Sequence, residues 1–278
     1  MKILDNDSDA KFAVNEVNTS GGFVFKNFIN SAEVDQINTY LDRAGSTYKQ
    51  LYFDAPWGYG NILDVECASP VIKNNWFERF ANEFFCSDFR LNHLVCNEKT
   101  PFVGYEVEWH QEVFNIETFA PGCDQKLAHD LFVQVFIALD EQGPENGGLL
   151  VVPGSNNLGV LKSIDVLSPA LTHKRSVSQA DMKRATSVCS PVVCPELQPG
   201  DALVFSPLLV HGSVRNISNE RRRSLVMQAA STRVPERDET VYEVEKNRRQ
   251  NFVIETLQGQ INKLKKMDLY NELKREKS

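Results

Sequence analysis

The sequence predicts a mainly β fold, a jelly roll or barrel, with helices collected on its N-terminal side. Three observations carry this reading. Short apolar or alternating runs recur at close spacing from residue 89 to residue 229. Turns such as Pro144-Glu145-Asn146-Gly147-Gly148, Pro153-Gly154 and Pro199-Gly200 separate them, which is the punctuation of strands. Helical periodicity is confined to residues 31–45, 71–85 and the segment beyond 240.

In chain order, residues 1–18 carry four Asp/Glu and three Asn without an apolar core. The first twenty residues therefore read as flexible, and not as a secretory signal. Gly21-Gly22 open the first ordered unit, followed by Phe23-Val24-Phe25 and Phe28-Ile29. Asn30 or Ser31 can cap a helix with the stripe Val34, Ile37, Leu41, and Glu33 stands where a capping-box carboxylate belongs if Asn30 is the cap. Gly45 ends that helix. A second helix over 71–85 carries Trp76, Phe77, Phe80, Phe84 and Phe85, mostly on one side.

From Phe89 the period shortens to two. Leu91, His93 and Val95 alternate with Arg90, Asn92 and Leu94, and residues 105–112 alternate likewise. Residues 131–139 (LFVQVFIAL) are almost wholly apolar, as in a strand buried on both faces, and 149–152 form another short strand. Residues 160–190 show no strong strand and read as a long loop or lid. Strand character returns at 192–194, 201–205, 208–210 and 223–229. The tail beyond 240 is helical, with the stripe Ile254, Leu257, Ile261, Leu264. That stripe needs a partner surface, either the aromatic stripe of residues 76–85 or the tail of a second subunit.

Composition narrows the classes. The 278 residues suit one β domain with extensions. A net charge of −7 argues against a nucleic-acid footprint, and no apolar run approaches the roughly 20 residues of a membrane span. The six cysteines form no C-x-x-C pair. With no export signal, reduced thiols in a cytoplasmic protein are expected.

The chemistry centres on His110-Gln111-Glu112. In a strand, residues i and i+2 share a face, so the imidazole and the carboxylate converge. A third ligand would complete a set of two His and one carboxylate, which suits Fe(II) and leaves positions open. That short motif is weak alone. His211 supplies the candidate third ligand, and Arg222 follows eleven residues later in the run Arg221-Arg222-Arg223. An arginine there can grip a carboxylate bidentately. Alternation turns Arg221 and Arg223 the other way.

At this point the chain resembles the phytanoyl-CoA dioxygenase (PhyH)-like branch of iron- and 2-oxoglutarate-dependent oxygenases. The strings that carry the resemblance run in the family's order. They are Trp109-His110-Gln111-Glu112, Phe136-Ile137-Ala138-Leu139-Asp140, Glu145-Asn146-Gly147-Gly148-Leu149 and Val152-Pro153-Gly154-Ser155. Pro199-Gly200-Asp201-Ala202-Leu203-Val204-Phe205, His211-Gly212-Ser213 with Asn216, and Arg222 complete them. The resemblance covers about residues 20 to 230. Its second ligand is usually Asp, and this chain has Glu112. The retained carboxylate disfavours halogenation.

The resemblance implies a double-stranded β-helix, a cupin-like jelly roll; the oxygenase domain is placed at residues 21–235, including the lid at about 160–190, and a helical extension over 236–278 lies beyond the resemblance. It implies Fe(II) held by His110, Glu112 and His211, with 2-oxoglutarate as cosubstrate and O2 as oxidant. Arg222 would hold the cosubstrate's far carboxylate with help from Ser213, and His93 and Gln134 are further cosubstrate-side candidates. The reaction implied is oxidation, most often hydroxylation, of a C–H bond in a small metabolite, as in secondary metabolism. Desaturation, epoxidation or cyclisation would use the same cofactors.

Other readings of the same residues remain open. His93 can support the site or pack, and Gln134 can contact a ligand or pair across strands. Lys174, Arg175, Lys183 and Arg184 can attract an anionic substrate or line a solvated loop. His129 and His173 read as solvated. A zinc hydrolase could use the same three ligands but has no need of Arg222, and a binding module on a degenerate barrel has no need of the triad. The partners expected are a small molecule and neither nucleic acid nor membrane, for a monomer or homodimer.

Overall fold

Residues 1–20, expected to be flexible, instead form a strand and a helix. This computed structural model describes residues 1–43, 49–52, 55–115, 128–166 and 175–234, with positions 255, 258, 259, 262 and 263. Strand β1 (Ile3–Leu4) is followed by α1 (Ala10–Ser20) and β2 (Gly22–Phe25), and β1 runs parallel to β2. The Asp9 side chain caps α1 by accepting from Lys11 N at 2.9 Å. Ala13 and Val17, four residues apart, are buried completely. Counting charges hid this two-residue apolar step.

Helix α2 (Ser31–Arg43) buries the expected stripe Val34, Ile37 and Leu41. Its capping box forms with Asn30 as the cap. Glu33 N donates to Asn30 Oδ1 at 3.1 Å, and Asn30 N donates to Glu33 Oε2 at 2.8 Å. Gly45, its expected terminator, lies outside the described residues. The strands β3 (Lys49–Tyr52) and β4 (Ala55–Asn61) follow, an antiparallel pair without a strong sequence signal. The short α3 (Ser69–Ile72) and α4 (Asn75–Phe85) divide the helix expected over 71–85, with Asn74 capping α4.

The β core then runs β5 (Phe89–Lys99), β6 (Val107–His110), a short helix α5 (Ala128–Leu131), β7 (Phe132–Ala138) and β8 (Leu149–Val151). After it come β9 (Ser163–Asp165), β10 (Arg175–Val177), α6 (Gln179–Val188), β11 (Ala202–Phe205), β12 (His211–Ser213) and β13 (Arg222–Ser231).

Eight strands make one sheet in the order β1-β2-β11-β7-β13-β5-β4-β3, and β6-β12-β8 make a second. The outer face of the large sheet carries Val133, Val135, Ile137, Val204, Leu225 and Met227, which pack against α1, α2 and α4. Trp76 and Phe80 of that layer contact Phe23, with ring centroids 5.9 and 5.8 Å apart. Each such aromatic, buried completely, contributes roughly 1.5–3 kcal/mol. The partner of the aromatic stripe is therefore β2 and its neighbours; the tail stripe Ile254, Leu257, Ile261 and Leu264 lies outside the described residues. On the inner face Phe136, Ala138, Leu203 and Phe205 pack against Leu149, Val151 and Leu209 of the small-sheet side. Two sheets closed over a shared interior make the double-stranded β-helix, a jelly roll.

Residues 160–190 differ from the expected loop. β9 and β10 pair antiparallel, and Ser178 caps α6. Leu161, Val177 and Ala185 are buried with Val113, Leu208 and Val210, so this segment is packed onto the small sheet. The strand expected at 192–194 reduces to a single bridge, Val151 to Val193. Residues 208–210 form a turn, and the strand begins at His211. Among the described residues, no helix is long and apolar enough to cross a membrane. Cys67, Cys86, Cys96, Cys189 and Cys194 are free thiols.

Candidate active site

His110 ends β6 and His211 begins β12, and the two are directly opposite in the antiparallel register. Their ring centroids lie 4.0 Å apart. Glu112 was expected on the same strand as His110, sharing its face by alternation. The strand instead stops at His110, and Glu112 opens a 3₁₀ turn, Glu112–Asn115. That turn brings Glu112 Oε1 to 3.4 Å from His110 Nε2 and 3.3 Å from His211 Nε2. One donor atom from each residue falls within 4.8 Å of the others.

Both imidazoles are oriented from behind. His110 Nδ1 lies 2.8 Å from the Glu108 carbonyl, and His211 Nδ1 lies 2.9 Å from the Leu209 carbonyl. A carbonyl only accepts, so each Nδ1 carries a proton and donates, which turns both Nε2 atoms toward Glu112. Burial lowers the His211 imidazole below its ordinary range, and His110 adds to this against the pull of Glu112. Burial alone would raise the Glu112 carboxyl, but hydrogen bonds and charge from His110 and His211 hold it well below the usual carboxylate range. Two imidazoles and one carboxylate are the donor set that a divalent metal ion takes, so the residues present fit Fe(II).

Gln111 is what ends the strand there. It is buried completely, and its amide nitrogen donates to the carbonyls of Leu208 at 2.7 Å and Gly159 at 3.0 Å. Its amide oxygen accepts from Leu161 N at 2.9 Å. Glu112 N in turn donates to the Pro207 carbonyl at 2.9 Å. Sequence reasoning missed this role, although a glutamine between two ligands was the available signal.

Arg222 reaches the interior as alternation required. It is 3% exposed, with Nε and Nη2 donating to the Gly147 carbonyl and Nη1 to Ser224 Oγ. Its guanidinium also lies 5.5 Å from the Phe136 ring centroid. Burial brings it down to about 10, which leaves it charged at neutral pH. Arg221 pairs with Asp140 and Asp42, and Arg223 pairs with Glu98 and Asp42. Among the described residues, Arg222 has no carboxylate partner. Ser213, two residues beyond His211 on β12, is buried at the same end as Arg222.

The other two candidates sit on one cross-strand row. His93 of β5 stands opposite Gln228 of β13, and Gln228 stands opposite Gln134 of β7. Gln134 is 1% exposed, and neither of its amide atoms has a hydrogen-bond partner among the described residues. The cross-strand bond does not form, because Gln228 Oε1 accepts from Asn92. Gln134 is also opposite Phe205, whose ring lies 5.0 Å from that of His211. An unpaired buried amide beside the triad is suited to a bound ligand. His129 is not solvated: it is half-buried, with Nδ1 2.9 Å from Ser206 Oγ and its ring near Phe84. His173 lies outside the described residues.

Residues 18–224 match the family model of phytanoyl-CoA dioxygenase (PhyH). The chain belongs to this family. It is 28% identical over 192 residues to an ectoine dioxygenase from Sphingopyxis alaskensis, covering 63% of this chain and 59% of that protein. The chain thus spans less than two thirds of that curated relative's length. Among solved structures, EctD from S. alaskensis with 2-oxoglutarate and 5-hydroxyectoine matches at TM-score 0.65 and 16% identity, over 83% of this chain and 79% of that one. AviO1 from Streptomyces viridochromogenes Tue57 matches at TM-score 0.58 and 19% identity, over 83% and 98%. At these identities the two structures share the fold with this PhyH-family chain.

Proposed function

We propose that this protein is an Fe(II)- and 2-oxoglutarate-dependent oxygenase that hydroxylates a C–H bond of a small molecule. The observation that carries the proposal is the convergence of His110, Glu112 and His211, with a buried Arg222 that has no carboxylate partner among the described residues. When bound, Fe(II) with 2-oxoglutarate and O2 supplies the oxidising chemistry, with decarboxylation of the cosubstrate to succinate.

The chain's own residues bind and orient. His110 and His211 offer Nε2 lone pairs because the Glu108 and Leu209 carbonyls fix their tautomers. Glu112 brings the negative charge and is kept ionised between them. Arg222 and Ser213 hold the far carboxylate of the cosubstrate, for which a guanidinium is the matched partner. Gln134 offers its amide to the ligand closest to Phe205, and His93 continues that row. Val151, Phe205 and Leu209, all nearly or fully buried, exclude water around the reacting centre.

The exposed Lys183 of α6 is the candidate contact for an anionic substrate, since Arg184 pairs with Asp181 and Arg175 stands opposite Asp165; Lys174 lies outside the described residues. The free cysteines support a reducing, cytoplasmic setting. The expected partner is thus a small molecule.

The test is substrate-stimulated succinate release by the Fe(II)-loaded protein under air, with mass analysis of the consumed compound. A gain of one oxygen supports hydroxylation, and a loss of two hydrogens moves the reaction to desaturation or cyclisation. Absence of 2-oxoglutarate binding to the metal-loaded protein overturns the proposal.

A further inference from the structure

Residues 206–209, between β11 and β12, hold three parts of the metal site with three successive carbonyls. The Pro207 carbonyl accepts from Glu112 N at 2.9 Å, and the Leu208 carbonyl accepts from Gln111 Nε2 at 2.7 Å. The Leu209 carbonyl lies 2.9 Å from His211 Nδ1. Two of the three ligands, and the glutamine between His110 and Glu112, are thus set by one turn.

Serine hydroxyls pin both ends of that turn. At its far end Val210 N donates to Ser155 Oγ at 2.8 Å. At its near end stands Ser206, which is buried completely. Ser206 N donates to the Gly21 carbonyl and its own carbonyl accepts from Leu209 N, both at 2.9 Å. Its Oγ accepts from Leu208 N at 3.2 Å and lies 2.9 Å from Nδ1 of His129, on α5. A hydroxyl has one proton to donate, and leaving it unpaired in a buried place is costly. With Leu208 N as the donor to Oγ, that proton goes to His129 Nδ1, so the imidazole accepts there and carries its own proton on Nε2. Burial lowers the His129 imidazole below its ordinary range, with Asp130 opposing, which agrees with a neutral ring. The ring is set edge-on to Phe84, with centroids 6.3 Å apart.

We infer that His129 is a positioning residue for the metal site: through the Ser206 hydroxyl it fixes the turn whose carbonyls hold Glu112, Gln111 and His211. The inference rests on the function proposed above, in which those ligands hold Fe(II), and extends it to a side chain that touches neither a ligand nor the metal. His129 acts across 77 residues of sequence, from α5 to the end of β11. Without an acceptor at Nδ1 the buried hydroxyl must find another partner, and the near end of the turn moves with it. The three carbonyls are consecutive, so they shift together. A coordination sphere is held to within about 0.2 Å, and a small displacement of this turn therefore reads out as lost metal affinity.

The test uses the full chain, with Mn(II) affinity measured by equilibrium dialysis at neutral pH and folding followed separately by urea titration. His129→Phe keeps a ring against Phe84 and removes the acceptor. Its Mn(II) affinity should fall about 5- to 10-fold, at the low end of the loss for groups standing behind a ligand. Ser206→Ala should give a similar fall, and the double variant little more than either alone, because both break one link. His129→Asn offers an amide oxygen near the place of Nδ1 and should restore most of the affinity. If His129→Phe lowers stability but leaves Mn(II) affinity as in wild type, the pair is only a strap between α5 and the barrel and the inference fails. It fails equally if the two single losses multiply in the double variant, or if His129→Asn binds no better than His129→Phe. If the wild-type chain does not bind Mn(II), the proposed function fails instead.

Discussion

At one end of the barrel interior Glu112 lies between two imidazoles, 3.4 and 3.3 Å from their Nε2 atoms; at the other, Lys99 and Arg222 face each other across the β5–β13 ladder with no ion-pair partner among the described residues. The first cluster carries its own counter-charge. The second has no counter-charge among the described residues. His211 and Ser213 join the two along β12, roughly 7 Å apart at the rise of an extended strand. Acids are not scarce in this protein, since Arg221 and Arg223 on either side of Arg222 are both paired. What distinguishes the clusters is the direction in which alternate residues of β13 point.

The largest effect that could break this contrast concerns the triad. His110→Ala, His211→Ala or Glu112→Ala should each weaken Mn(II) binding by more than about 100-fold, exceeding the loss usual for a partner behind a ligand. Glu112→Asp should keep measurable binding, as read by equilibrium dialysis. An Ala variant with wild-type metal affinity removes that residue from the set.

Breaking the paired arginine should cost fold, and breaking the unpaired one should cost binding. Arg223→Met removes the guanidinium that pairs with the buried Glu98, so urea unfolding should show a loss of about 3–5 kcal/mol. Arg222→Ala should lower 2-oxoglutarate affinity by about 1.5–3 kcal/mol. The reverse pattern in these two variants would mean that Arg223 faces the ligand. Arg221→Ala, at a partly exposed pair, should change stability by less than about 1 kcal/mol.

Gln111→Met leaves three buried backbone partners unsatisfied, a loss of about 3 kcal/mol at roughly 1 kcal/mol per hydrogen bond. Its Mn(II) affinity should also fall about 10-fold or more, because the turn that places Glu112 is no longer pinned. Unchanged metal affinity in a destabilised Gln111→Met would show that Glu112 is positioned without it.

The smallest effect is a slope. Lys99 is depressed to about 6 in the fold, against about 10.4 in an unfolded chain. Between those values the unfolded chain binds the extra proton, so the lysine makes the ligand-free protein more stable as pH rises through 7 and 8. Lys99→Met should reduce that slope by about one proton in urea titrations at several pH values. An unaltered slope means the amine is charged in the fold.

Much of this was legible in the residues. The capping box at Asn30 and Glu33, the stripe of α2, the apolar β7 and the turn at Gly147-Gly148 follow from local spacing, and all are found. His110, Glu112, His211 and Arg222 were marked by their pattern, and the structure brings the first three together. The N-terminal helix was not legible because two small buried residues among charges give a weak period. The secondary structure within residues 160–190 was not legible because β9 and β10 are three residues each, too short to show alternation.

The sequence by itself marked α2, the central strands, the candidate ligands and which of the three arginines points away from its neighbours, because these depend on periods of two or four residues and on short motifs. Only the tertiary structure decided that Glu112 sits on a turn, since Gln111 is held by partners 48, 50 and 97 residues away. It alone placed Lys99 against Arg222 and Ser213, the latter 114 residues distant. The reason is physical: alternation tells a side chain which face it takes, but its charge state is set by what faces it. For Lys99 that is Arg222, Glu106 and a buried wall, which no local window of the chain contains.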